Sequence, residues 1–261
     1  MVYYRMMQLD IQNPFGAPVY FEEILSSTMD ESRILANRNE PHGTVLAADF
    51  QEKGRGRIPG RPWIMDKGLN LSFTILLRYK DFSAIPQALT LRAGLAVLLA
   101  IEDFAPPLGD RVQIKWPNDI MVDSKKVSGI LTEGDGKNMF IGIGVNVGQK
   151  EFPEPLQNRA VSIFQALNVE EIPDRFDLLE KILGHLYSEL NTGFSSWQSR
   201  LTDRLYKKGE MVRFIKGHAD SGQMVEGRLS GIGPKGELLI IPQGEKDPLS
   251  FITGELDFYP Y

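Results

Sequence analysis

Lys53, Arg55, Arg57 and Arg61 lie within nine residues, and no acidic residue follows them before Asp66. The stretch GRGRIPGRPW at 54–63 adds three glycines and two prolines. Four like charges this close repel one another unless an anion or solvent screens them. So much Gly and Pro favours a loop over helix or strand. Such a segment is expected to have little structure of its own and to order around an anionic group. Standing alone, it would serve a nucleic-acid or surface role equally well.

Three more groups could do chemistry. Ser26, Ser27 and Thr28 form a hydroxyl cluster at a strand-to-helix turn, where hydroxyls and backbone N–H groups can grip a small polar group. KWPND occupies 115–119, and KKVSGILTE occupies 125–133, ending in Glu133. Gln51 stands just ahead of the basic loop. Each has a plain structural reading beside the chemical one. The hydroxyls can be a helix cap, with Thr28 and Asp30 as candidate caps. Lys125 and Lys126 can be a solvated turn, and Trp116 can be core. Asn118 and Asp119 are ordinary turn formers.

The elements around these residues follow from hydrophobic period and turn signals. Residues 17–24 read as a strand, followed by a helix to about Asn37. Residues 43–50 read as a strand leading into the basic loop. Residues 69–79 become fully apolar, as a central strand does. Residues 86–104 read as a long apolar helix that stops at PPLGD. Residues 112–115, 119–122, 127–133 and 139–147 read as short strands. Turns are expected at 124–125 and 134–136. Gly142 and Gly144 within the last strand suggest a close approach by another backbone or a ligand. Residues 174–197 carry apolar residues at helical spacing. Beyond about 205, short β-runs separated by glycines suggest a small separate β-barrel. This gives domains at 1–204 and 205–261. A chain ending near Arg204 is expected to keep the ligand pocket. Gly231, Gly233 and Gly236 match GxGxxG by letters, but Pro234 and a β-run follow, so the match reads as a hairpin turn.

Composition narrows the chemistry. The 261 residues carry a net charge of −5 and no cysteine, which excludes disulfides, thiolate metal sites and a Cys nucleophile. The three histidines, His42, His185 and His218, have no metal-ligand spacing. An acidic chain with one short basic loop lacks the broad basic face of a nucleic-acid binder. No secretory leader is expected at the start and no bilayer-spanning segment is expected anywhere.

Taken together and in order, these segments resemble the biotin protein ligase family. GRGRIPGRPW at 54–63 is similar to its GRGRxGRxW loop, and KWPND at 115–119 to its KWPND segment. Lys126 to Glu133 is similar to its KxxGILxE segment, and Gly142 to Asn146 to its GIGxN strand. The likeness covers about residues 19–148, and the β-runs after 205 resemble the family's C-terminal domain. Two departures stand out. Ile58 and Pro59 make the loop one residue longer than usual, and Met29 stands where the family has Asn.

The resemblance implies an α+β fold: a class II synthetase-like or lipoate-ligase-like mixed sheet flanked by helices, plus a small C-terminal SH3-like β-barrel. It implies activation of biotin by ATP to biotinyl-5′-AMP, then transfer to a lysine of a biotin carboxyl carrier domain of a biotin-dependent carboxylase. Lipoate or octanoate transfer on the same scaffold is the alternative. Lys126 and Arg57 are implied as catalytic residues. Ser27, Thr28, Gln51, Arg55, Gly56, Arg57, Lys126, Gly129 and Gly142 are implied for biotin. Arg55, Arg57, Arg61, Trp63, Asn118, Lys126 and Asn146 are implied for ATP or the adenylate. Asp119 would position the Mg²⁺-nucleotide or the acceptor lysine. Ile130, Leu131 and Ile143 would form the apolar pocket wall. Mg²⁺ would come with the nucleotide, with no dedicated protein metal site. The resemblance further implies a cytoplasmic monomer or homodimer without the DNA-binding module of some members, hence no DNA or membrane partner.

Overall fold

The structure is a computed structural model that describes residues 6–171, 174–191, 196–217 and 222–257. An eight-stranded mixed sheet dominates it. In chain order its strands are β1 (Met7–Gln8), β2 (Val19–Leu25), β3 (Val45–Gln51), β4 (Leu71–Arg78), β5 (Val112–Lys115), β6 (Asp119–Val122), β7 (Lys125–Gly134) and β8 (Asn138–Val145). Their spatial order is β1-β2-β3-β4-β8-β7-β6-β5. Only β2 and β3 pair in parallel, joined across helix α1 (Thr28–Asn37), because a parallel pair needs a crossover. The apolar 69–79 stretch yields β4, which is central as expected. Both of its faces are covered.

Alternation along β4 and β8 sorts the side chains. Phe73, Ile75, Ile141 and Ile143 enter the large core with helices α2 (Leu89–Phe104) and α4 (Arg175–Asn191). Leu76 and Phe140 turn to the other face, where Met29 and Ala36 of α1 meet them. Phe82–Phe104 is long and apolar enough to cross a membrane, which corrects the expectation that no segment is. Its apolar 18-residue stretch is 61% buried inside the fold, so its apolar length is spent on the core.

Several boundaries move. The cap of α1 is Ser27, whose Oγ accepts from the Asp30 backbone N–H at 3.4 Å, in place of Thr28 or Asp30. The β6–β7 turn is Asp123 and Ser124, both at positive φ, one residue earlier than expected. The expected 174–197 helix divides into α4 and a separate α5 (Trp197–Asp203), with a short α3 (Ile163–Leu167) before them. His218 lies outside the described residues. His42 Nδ1 accepts from the Arg78 backbone, and His185 pairs with Asp103 at 2.7 Å, far apart in sequence and use.

The C-terminal strands β9 (Met211–Lys216), β10 (Gln223–Ile232), β11 (Leu238–Pro242), β12 (Leu249–Phe251) and β13 (Gly254–Asp257) form an antiparallel sheet ordered β12-β11-β10-β9-β13. Its two edge strands are joined by Ile252 and Thr253 alone. Such a link spans at most about 11 Å, whereas five flat strands span about 19 Å. The sheet therefore curls toward a barrel. The GxGxxG match is the β10–β11 turn, as expected.

This barrel is less separate than the sequence suggests. Val212, Phe214, Leu229 and Phe251 belong to the same core as α2 and the large sheet. Leu205 bridges Ile114 on the β5 edge, and Trp116 is 2% exposed with its ring 5.9 Å from Phe214. Trp116 Nε1 donates to the Gly236 carbonyl in the β10–β11 turn at 3.0 Å. The plain reading of Trp116 as core is the one the structure gives. Trp116→Phe keeps a ring but removes this bond. The expected loss is about 1–3 kcal/mol, read as a lowered urea midpoint.

Candidate active site

Period two puts a shallow depression on the α1 side of the large sheet. One row across it runs Ser72–Gly144–Gly129, and the next runs Thr74–Gly142–Leu131. Three of these six positions are glycine, so the floor lacks side chains where its neighbours have them. Trp63 from the basic loop takes that space: a Cβ on Gly144 would lie 2.5 Å from its ring. A Cβ on Gly129 would lie 2.9 Å from Lys126 Nζ, and one on Gly142 would lie 3.0 Å from Met29 Cε. The close approach expected at Gly142 and Gly144 is thus made by side chains.

Lys126 reaches this face through an irregularity. Ile120 pairs with Ser128, but Met121 pairs with Lys126, leaving Val127 as an extra residue in β7. A one-residue bulge reverses the alternation beyond it. Without the bulge Lys126 and Gly129, three apart, would face opposite sides. With it, Lys126 joins Asp119 and Gly129, and its Nζ lies 2.6 Å from Asp119 Oδ1.

The pocket brings together Ser27, Thr28, Met29, Gln51, Arg55, Gly56, Arg57, Trp63, Ser72, Thr74, Asn118, Lys126, Gly129, Leu131, Gly142 and Gly144. One end is polar and uncharged. Thr74 Oγ1 donates to Thr28 Oγ1 at 2.9 Å, and the Thr28 hydroxyl and backbone N–H both donate to Gln51 Oε1 at 3.0 and 2.8 Å. Gln51 Nε2 donates to Ser72 Oγ at 3.1 Å. This chain leaves the second Gln51 amide hydrogen and the Ser72 hydroxyl hydrogen for a ligand. The other end is cationic, with Lys126 and Arg57. Ile130 and Ile143 border the pocket but pack into the core, so Leu131 and Met29 supply its apolar middle.

The basic loop has more structure than its composition suggests. Gly56 N–H donates to the Arg61 carbonyl at 3.0 Å and Trp63 N–H to the Gly54 carbonyl at 2.9 Å, making a tight hairpin. Its charge is compensated by distant carboxylates. Arg55 holds Asp30 and Glu133, while Arg57 and Arg61 share Glu255 of β13 at 2.8 and 3.8 Å. The hydrogen bonds to Asp30, with those to Glu133, push the Arg55 guanidinium well above its ordinary pKa. The bond to Arg55 holds Asp30 below the usual carboxylate range. Burial works against Glu133, yet bonds from Arg33 and Arg55 still bring its carboxyl below that range.

Other expected ligands sit elsewhere. Asn118 Nδ2 donates to the Ile130 carbonyl at 2.9 Å, so half of its amide is committed to the sheet. Asn146 is 3% exposed and lies outside the pocket lining, with Nδ2 on the Lys126 and Val161 carbonyls. Arg61 also lies outside the lining and is mostly exposed. Trp63 Nε1 is buried without a partner among the described residues.

A model of the Biotin/lipoate A/B protein ligase family matches residues 21–149. The biotin–[acetyl-CoA-carboxylase] ligase of Paracoccus denitrificans is 32% identical over 224 residues, 82% of this chain and 90% of that protein. The chain belongs to this ligase family. A bifunctional ligase/repressor of Bacillus subtilis is 40% identical over 176 residues, 64% of this chain and 52% of that protein. The chain spans about half the length of the Bacillus relatives it matches. The biotin protein ligase from Aquifex aeolicus, solved in complex with biotin and ATP, superposes with a TM-score of 0.76. It is 29% identical, and the match covers 92% of this chain and 97% of that one.

For this family member, the sequence left Ser72 and Thr74 of the pocket, and Glu255 and Lys115 near it, without a role. Ser72 and Thr74 carried a readable signal, two hydroxyls alternating within an apolar strand. Glu255 carried none, because it lies nearly 200 positions from the loop it pairs with. Lys115 stands in KWPND, a segment whose likeness assigns it no role. Burial drives its pKa down to about 8, helped by Lys126 and Arg61 and opposed by Asp119 and Glu255. The folded protein therefore releases this proton before the unfolded chain does. The Lys115 contribution destabilises fully below pH 8 and disappears as pH rises toward 10.5. Stability of the wild type relative to Lys115→Met is expected to rise across that window by up to about 3 kcal/mol. Urea unfolding of both proteins at pH 7, 8.5 and 10 measures it. A constant difference would show that Lys115 is not so perturbed.

Proposed function

We propose that this chain is a biotin protein ligase that makes biotinyl-5′-AMP from biotin and ATP and passes biotin to a lysine of a biotin carboxyl carrier domain. The observation that carries this reading is the polarity gradient of the pocket. Its neutral hydrogen-bonding end, Thr28–Gln51–Ser72–Thr74, suits a ureido group. Its narrow apolar middle suits a bicycle and alkyl chain. Its cationic end suits a carboxylate meeting a phosphate. The Aquifex aeolicus ligase solved with biotin and ATP supports it.

Lipoate fits this pocket less well. A dithiolane ring has neither N–H nor C=O, so the Gln51 and Ser72 donors would be buried unpaired. A site built to hydrogen-bond its substrate rejects an analogue lacking those groups by orders of magnitude.

In the first step the biotin carboxylate attacks the α-phosphorus of ATP, and pyrophosphate leaves. Lys126 and Arg57 offset the repulsion of the two anions and the charge gathering on phosphorus. Asp119 holds Lys126 at 2.6 Å, on the pocket face, until a phosphate oxygen competes for it. In the second step the acceptor ε-amine attacks the mixed-anhydride carbonyl, and AMP leaves. Lys126 then stabilises the carbonyl oxygen. Trp63 and the hairpin cover the pocket, which limits water attack on the anhydride. Mg²⁺ would enter as part of the triphosphate substrate. Dependence on ATP and on a carboxylase domain supports a cytoplasmic setting.

Lys126→Ala removes the cation at both reacting centres. Biotin transfer is expected to slow by ~30- to 1000-fold, the loss of roughly 2–4 kcal/mol of stabilisation. A radiolabelled-biotin transfer assay with a purified carrier domain measures it. A near-wild-type rate would remove Lys126 from the mechanism. In a pyrophosphate-release assay with ATP, lipoate or octanoate in place of biotin is expected to give no pyrophosphate above background. Release at the biotin rate would overturn the proposed function.

A further inference from the structure

Arg55 stands two residues from Arg57 in the same hairpin, yet its partners differ in kind. Its Nη1 and Nη2 fork onto Asp30 at 3.0 and 2.9 Å. Its Nε and Nη2 also reach the two oxygens of Glu133, each at 3.3 Å. Arg33 of α1 donates to the same Glu133 at 2.7 Å, and its guanidinium lies 4.7 Å from the Phe140 ring centre. Two arginines and two carboxylates thus close a network linking the first turns of α1, the end of β7 and the loop. Asp30 is further favoured there by the positive end of the helix.

With most of its N–H groups on carboxylates, Arg55 has little left to give a phosphate. Among the described residues Arg57, by contrast, pairs with Glu255 alone, which it shares with Arg61. Glu133 falls where it does because residues 129, 131 and 133 alternate onto the pocket face of β7. The same spacing that makes Gly129 a gap in the floor places a carboxylate at the rim. The hairpin bonds then transmit the anchor: Arg55 bridges Pro62, and the next residue, Trp63, lies on Gly144.

We propose that Asp30 and Glu133 are positioning residues that hold the basic hairpin, and Trp63 with it, shut over the pocket by anchoring Arg55. Arg55 is then an anchor of the lid, while Arg57 is the arginine that meets the ligand. The consequence for the reaction, retention of the adenylate, rests on the proposed function; the anchoring does not.

Two measurements separate these claims. The first is trypsin cleavage after Arg57 in the ligand-free protein, since cleavage tracks the population of the open loop. The double variant Asp30→Asn/Glu133→Gln is expected to be cut about 5- to 20-fold faster than wild type, as loss of a network of partly exposed ion pairs allows. Arg55→Lys, which keeps the charge but loses the fork, is expected to lie between them. Cleavage at the wild-type rate in both would overturn the anchor. Should the double variant lose its far-UV circular dichroism, Glu133→Gln alone decides, with an expected rise of about 2- to 5-fold. The second measurement is pyrophosphate released per biotin transferred. Escape of the adenylate raises that ratio in the double variant, and an unchanged ratio overturns the lid's part in retention. Wild type that releases no pyrophosphate from biotin and ATP would instead fail the proposed function, with the cleavage result still standing.

Discussion

In the proposed reaction two anions must meet in one cleft and repel each other, and each cation that joins them must itself be held while the cleft is empty. Arg55, Arg57 and Lys126 converge here from the loop and β7, with Arg61 and Lys115 outside the lining. Asp30, Glu133, Asp119 and Glu255 come from α1, β7, β6 and β13 to meet them. These pairs are mostly half-buried, so none is a large source of stability alone. Their use is positional. They fix where the cations point. Arg55 has most of its N–H groups on carboxylates, whereas Arg57 meets Glu255, and in the proposed reading that difference divides anchor from ligand-binding arginine within a single turn of chain.

The rest of the site follows from making room near those charges. Glycine at 129, 142 and 144 removes side chains from a face that would otherwise close against α1, as Leu76 and Phe140 do one step further along the same strands. Met29, Lys126 and Trp63 then enter that space. The bulge at Val127 supplies the one reversal of alternation that turns Lys126 toward the cleft. Where the family has Asn, Met29 joins an apolar cluster with Ala36, Leu76 and Phe140, and the polar end of the pocket rests on Thr28, Gln51, Ser72 and Thr74 instead.

The C-terminal barrel is tied to this machinery in two ways. Trp116 joins its core to that of the large sheet, and Glu255 joins its last described strand to the basic hairpin. A division at residue 204 therefore marks a change of architecture without marking a break in packing. Backbone bonds from Ile114 to Arg204 and from Tyr206 to Ile114 run through that point. The basic hairpin and the barrel thus share a carboxylate.

Much was legible in the sequence. Alternation and length placed nearly every strand of both sheets, because a strand's side-chain period is a local property. The glycines of the GIGxN segment already marked a close approach, and the ordered set of GRGR loop, KWPND, KxxGILxE and GIGxN named the pocket. What the sequence could not decide was which of these residues touch. The bulge that aims Lys126 depends on pairing with β6. The withdrawal of Asn146 behind Lys126 depends on the 126–161 packing. Asp30, Glu133 and Glu255 are ordinary acidic residues until the fold brings each against an arginine 25, 78 or 198 positions away. Charge compensation acts through space over a few ångströms, and only the tertiary structure determines which charges come within that range.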